Sequence, residues 1–162
     1  MDEVGRIVRV LGEGNRRLQK YKKADAVNLQ RSYAPGKWTG VQILAHVADS
    51  DMVCYTRLHQ AIVEPSDTLF PVPMEGAVWM EKLQCSKRPI DVSLAAIHGA
   101  RIGMIHTLQT LPQKVLLRTL KHQEMGSVSP LEYAGIAAEH GLHHLAQLDS
   151  LLNVEDSERL PK

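Results

Sequence analysis

The sequence predicts an all-α fold, a four-helix bundle with a long crossover between helices two and three. Three observations carry that expectation. Four segments of about twenty residues repeat their apolar side chains at three- and four-residue steps, the spacing that gathers them on one side of a helix. No segment of useful length alternates apolar and polar residues as a half-buried strand does. Four of the eight prolines fall within residues 64–89, a connection long enough to cross a bundle, so simple up-down-up-down order is not required.

The first helix is expected from about Asp2 to Lys22, on the repeat of Val4, Ile7, Val8, Leu11 and Leu18. Gly5, Gly12 and Gly14 weaken it by about 1 kcal/mol each relative to Ala. Ala34-Pro35-Gly36-Lys37-Trp38 reads as a loop. Thr39 with Gln42 three residues on has capping-box spacing, so the second helix should start at Gly40. It should end near Val63, because Glu64 precedes Pro65 and the residue before proline avoids the helical region. Within 64–89 a short helical turn is expected around Glu75 to Leu83, with Trp79 and Met80 covering one end of the bundle. The third helix should take Asp91 as N-cap and run to Leu111, where Pro112 stops it. Residues 112–128, with Gly126, form a second connection. Ser129 as N-cap, Pro130 at the first helical position and Glu132 three residues after the cap start the fourth helix, which runs to about Asn153. One domain over residues 1–154 and a polar tail over 155–162 are expected.

Composition excludes several classes. Nineteen Lys and Arg against eighteen Asp and Glu leave a net charge of +1, and no five like charges run together. A nucleic-acid binder needs clustered cations, so neither nucleic acid nor, with no apolar run near eighteen residues, a membrane is an expected partner. Cys54 and Cys85 are too few for a disulfide framework or a Cys-rich zinc site and suit a reducing compartment. Met1-Asp2-Glu3 has no basic region followed by an apolar stretch, so a signal peptide is not expected. A cytoplasmic location follows as the expectation.

The eight histidines are unevenly spread. His140 and His144, four apart on the fourth helix, stack two imidazoles on one face, where they can bind one divalent ion. His140 and His143 are also neighbours by the three-residue step, so spacing leaves the pair open. A third ligand is required. His46, in the apolar turn Val41 to Ala48, is the best candidate, since an imidazole buried there needs a hydrogen-bond partner or a metal. His98 and His106 are two turns apart and read as solvent-facing; His59 and His122 carry no spacing argument.

At this point a family is recognisable. Gly36-Lys37-Trp38-Thr39-Gly40 through Leu44-Ala45-His46-Val47-Ala48-Asp49-Ser50-Asp51 resembles the Trp-Ser/Thr…His-Leu-x-x-x-Glu segment of the bacterial DinB-like (DinB/YfiT) proteins. Glu139-His140 through His144-Leu145-Ala146-Gln147-Leu148 is similar to that family's final-helix motif. The resemblance spans about Trp38 to Leu151. It implies an up-down-down-up bundle, often a homodimer, with a divalent metal (zinc or nickel first, iron next) held by His46, His140 and His144 and waters in the open positions. His143 then faces the surface or a dimer contact. Two residues depart from the pattern: Asp51 stands where the family has Glu, and Gly141 where it often has Asp.

The resemblance further implies a thiol-dependent transferase using a low-molecular-weight thiol on a small-molecule substrate. A metal-dependent hydrolase and a non-catalytic metal-binding module are the alternatives, and a fourth protein ligand would favour the last. Arg57, eleven residues from His46, lies on the ligand face of its helix and is a candidate for holding an anionic cofactor group; an ion pair with a neighbouring carboxylate competes with that role. Trp38, Tyr55 and Tyr133 are expected to pack. Cys54 and Cys85 lack the basic neighbours that activate a thiolate. Glu139 projects away from His140, toward solvent.

Overall fold

The computed structural model describes residues 2–23, 26–70 and 74–152. In chain order the helices are α1 (Glu3–Lys20), α2 (Ala26–Leu29), α3 (Gly40–Val63), α4 (Gly76–Lys82), α5 (Ile90–Thr110), α6 (Gln113–Leu116) and α7 (Pro130–Leu152). Three short strands accompany them: β1 (Leu69–Phe70), β2 (Leu120–His122) and β3 (Gly126–Val128).

The long helices begin where their caps dictate. The Asp2 side chain accepts the Gly5 N–H at 2.8 Å. At α3, Thr39 Oγ1 accepts the Gln42 N–H while Gln42 Oε1 accepts the Thr39 N–H, a complete capping box. At α7, Ser129 and Glu132 make the same reciprocal pair, at 2.6 and 3.2 Å. The start of α5 differs from expectation. Asp91 lies inside the first turn, where its charge suits the helix dipole, and Pro89 precedes the helix with no side-chain cap. Helix α1 gives way after Lys20 to a tight 3-10 turn over Tyr21–Lys23. Asn153 and the tail over 155–162 lie outside the described residues.

Side-chain pairings fix the directions. Gln19 meets Leu94 and Asn15 meets His98, so α1 and α5 are antiparallel. Asp51 meets Arg101 and His59 meets Thr107, so α3 and α5 are parallel. Arg6 meets Glu139 and Arg17 meets Asp149, so α1 and α7 are parallel. The order is up-down-down-up. Helices α1 and α3 each pack on both α5 and α7, so α1 stands diagonally across the bundle from α3, and α5 from α7. Because α3 and α5 point the same way, the chain must return the length of α3, about 36 Å, between them. The crossover containing β1 and α4 makes that return.

The second connection holds a feature the sequence reading did not expect. Strands β2 and β3 form an antiparallel hairpin, with Gly126 at φ 73°, and β1 from the crossover pairs parallel to β2. Both connections are thereby tied together.

The core has two main apolar parts, with a small third gathering Ala45, Met80 and Cys85. One gathers Leu11, Cys54, Leu58, Met104 and Ala138; the other Leu18, Leu44, Ala48, Ile97 and Leu145. Between them, in the same layer on their helices, lie Gly14, Asp51, Arg101 and Gly141.

Candidate metal centre

His46 is in the second turn of α3, and His140 and His144 are one turn apart on α7. Because α3 and α7 pack antiparallel, the three rings meet. His46 Nε2 and His144 Nε2 each lie 3.0 Å from His140 Nε2. The three donor atoms fall within 4.8 Å of one another, and among the described residues no carboxylate or thiol joins them.

Two of the rings are braced by their neighbours. His144 Nδ1 donates to Gln147 Oε1 at 2.7 Å, which leaves its Nε2 lone pair facing the other two rings. Gln147 is itself fixed, its amide donating to Tyr33 Oη at 3.2 Å. The Trp38 ring stands 4.8 Å from the His46 ring. On another side Gly76, the first residue of α4, lies so close that a Cβ there would come within 2.9 Å of His46 Cε1. The crossover helix can approach the ring only because residue 76 is glycine.

Protons do not stabilise this arrangement. Burial, with the neighbouring histidines adding to it, pushes His140 down to about 3. Burial pushes His144 down to about 4, against the Gln147 hydrogen bond, and also lowers His46. At neutral pH the rings are uncharged, with Nε2 atoms crowded together. The buried Nδ1 atoms of His46 and His140 have no partner among the described residues. Three neutral nitrogens, two of their pairs 3.0 Å apart and all within 4.8 Å, are what one ion with Zn–N bonds of about 2.0–2.1 Å would gather. The donor set fits a divalent metal.

The other candidates separate cleanly. His143 is exposed and bonds Gln147 at 3.0 Å. His98 and His106 are exposed. His59 bonds Tyr55 O and Thr107 Oγ1, and His122 Nδ1 accepts the N–H groups of Glu124 and Met125. Arg57 does not reach the three rings; it donates to Gln60 Oε1 at 3.1 Å and lines a separate cavity of about 320 Å³ with Asp49, Val53 and Trp79. Glu139 is exposed and pairs with Arg6 at 2.7 Å. Cys54 is buried and pushed up to about 12 by burial first and Asp51 second. Burial raises Cys85, which sits beside the Arg88–Asp49 ion pair. Neither thiol is activated.

Three residues near the centre escaped sequence reasoning: Gly76, Tyr33 and Arg101. The last reaches from α5 to the bundle axis and pairs with Asp51 at 2.6 Å. Burial drives the Asp51 carboxyl up to about 6, against the pull of Arg101. Asp51 and Gly141, the two departures noted in the sequence, thus converge on one guanidinium.

Residues 18–148 match the model of the DinB superfamily, and the chain belongs to that family. A relative from Oceanobacillus iheyensis, named provisionally as a metal-dependent hydrolase, is 38% identical over 142 residues, covering 86% of this chain and 81% of the relative. One from Bacillus cereus, named in the same way, is 34% identical over 137 residues, covering 85% and 78%. In fold the chain is similar to YfiT from Bacillus subtilis, described as a probable metal-dependent hydrolase with an unusual four-helix bundle topology. The TM-score is 0.79 at 24% identity, over 91% of this chain and 85% of that one.

Proposed function

We propose that His46, His140 and His144 hold a catalytic divalent metal and that the protein is a metal-dependent hydrolase of small molecules. The observation that carries this reading is the convergence of three neutral Nε2 atoms with no fourth donor among the described residues. Structural zinc sites close with four protein ligands, whereas catalytic sites keep a position open. The names of the relatives favour water as the nucleophile.

When bound, the metal supplies a Lewis acid that brings the pKa of a coordinated water toward 7 or stabilises a thiolate. The chain's own residues orient and enclose it. Gln147 and Tyr33 hold the His144 ring in the ligating tautomer, while Trp38 and Gly76 fix the plane of His46. Next to Trp38 a cavity of about 400 Å³, lined also by Gln42, Met80, Gln84 and Lys87, offers room for a substrate.

Transfer to a low-molecular-weight thiol is the second reading, and one observation favours it. Asp49, Asp51 and Glu139, on α3 and α7, are each engaged by an arginine, so none of these three stands as a free base for water. A thiol, with an ordinary pKa of about 8.5, needs less help than water.

Elemental analysis of the purified protein before and after chelation, with melts of both samples, tests the metal. About one equivalent, and a lower melting temperature once it is removed, is the expected result. No metal, no rebinding and an unchanged melt would end the enzymatic reading. Ester and amide hydrolysis by the loaded protein, run beside conjugation of a small thiol to an electrophile, then decides between the nucleophiles.

A further inference from the structure

Arg101 is 1% exposed and Asp51 wholly buried, in the layer that divides the two main apolar parts of the core. Arg101 touches every long helix. Its Nε donates to Asp51 on α3, its Nη1 lies where a Cβ at Gly14 of α1 would come within 2.7 Å, and a Cβ at Gly141 of α7 would overlap Nη2. Gly141 directly follows His140, so the guanidinium abuts α7 beside the histidine cluster.

For stability alone this is a poor arrangement. Apolar residues of similar volume commonly serve a core as well as or better than a buried ion pair. Glycine weakens a helix interior at two positions here. Arg101 Nη2 and Asp51 Oδ1 are also left without hydrogen-bond partners among the described residues. The cost falls next to the cluster of converging nitrogens.

We infer that Arg101 is a positioning residue of the histidine centre, acting through His140: its fixed positive charge at the bundle axis restrains how tightly the centre holds a divalent cation, and Asp51 sets how much of that charge is felt. This rests on the metal reading above. The charges act oppositely on a cation in the histidine cluster, and in a low-dielectric interior neither is screened as it would be at the surface. The guanidinium, not the carboxylate, is the partner that packs against Gly141, directly beside His140.

Zinc alone, titrated into the metal-free full chain against a chromophoric chelator, tests the inference, with circular dichroism confirming folding. Asp51→Asn keeps the cation and removes its counter-charge; it should bind zinc about fivefold more weakly than wild type. Asp51→Asn combined with Arg101→Gln removes both charges and should bind about fivefold more tightly. A purely structural pair would lower the metal-free melting temperature in both variants without moving affinity in opposite directions. Equal affinities, or shifts of the same sign, would overturn the inference. Arg101→Lys keeps the charge and should stay within about twofold of wild type; a lysine variant that binds like the neutral pair overturns the inference even if Asp51→Asn does not fold. Wild-type protein that takes up no zinc sinks the metal reading itself, a failure visible before any variant is made.

Discussion

The histidines at the two ends of the bundle obey different rules. Toward the end where α3 finishes, His59 bonds a carbonyl and a threonine hydroxyl, and His122 accepts two backbone N–H groups in its turn. Those rings are locally satisfied. At the other end His46 and His140 leave Nδ1 without a partner and direct Nε2 at a neighbouring imidazole. Burial is common to both regions, so burial alone does not mark a ligand. What marks it is a set of acceptors aimed at one another with nothing between them to donate.

The largest test of that contrast is deletion. His46→Ala, His140→Ala and His144→Ala should each abolish stoichiometric metal binding, whereas His98→Ala should bind as wild type; metal analysis after gel filtration checks this, and retention of a full equivalent in all three would break the comparison. Acid gives the next effect. His140 and His144 have folded pKa values of about 3 and about 4, below the ordinary 6.5, so the unfolded chain binds protons that the folded chain refuses. Their contribution to stability is present above pH 6.5 and is lost as pH falls toward 4. Asp51, raised to about 6, works the other way over pH 4–6, but one carboxyl opposes two imidazoles. The metal-free melting temperature should therefore drop by roughly 5 °C or more between pH 7.5 and 5, and a flat profile would mean the rings are not held neutral. Smaller again is Gly76→Ala, which presses a methyl on the His46 ring. We expect a loss of about 1–3 kcal/mol by chemical denaturation and weaker metal binding, while a fully neutral change would show that α4 does not brace the ligand. Thr39→Ala should cost about 1 kcal/mol through the lost cap of α3, with metal affinity nearly unchanged.

Local chemistry made much of this legible in advance. The bounds of α3 followed from Thr39, Gln42 and the Glu64-Pro65 step, and the start of α7 from Ser129, Pro130 and Glu132, because caps and prolines act within four residues. His46 stood out by its apolar turn and His140 by helical spacing; spacing left His143 and His144 both open, and the resemblance to the DinB-like proteins chose His144. The small sheet was not legible. Its strands are two or three residues long, too short to show alternation, and β1 meets β2 only through the tertiary fold. Asp91 resembled a cap because its side chain can cap; Pro89, with its fixed φ, brings the chain into the helix two residues earlier. Arg101 was the hardest to see. An arginine on an amphipathic helix reads as solvent-facing, and what draws it inward is the room left by Gly14 and Gly141 on two other helices. Those glycines in otherwise regular helical patterns were the available signal.

The diagonal order of the long helices has a consequence for how the molecule comes apart. His46 and His140 are 94 residues apart in the chain, and the pairings of α7 with α1 and α3 are all of comparable span. Closing so long a loop is the entropically costly event in assembly, and its cost grows only slowly with length, so one clasp across it restrains nearly the whole chain. A cation shared between α3 and α7, as proposed above, would be such a clasp. Removing it would then do more than empty a site: it would convert a tethered fold into one whose final helix can peel away, with resistance to proteolysis along α7 as a clock for how long the ion had been gone.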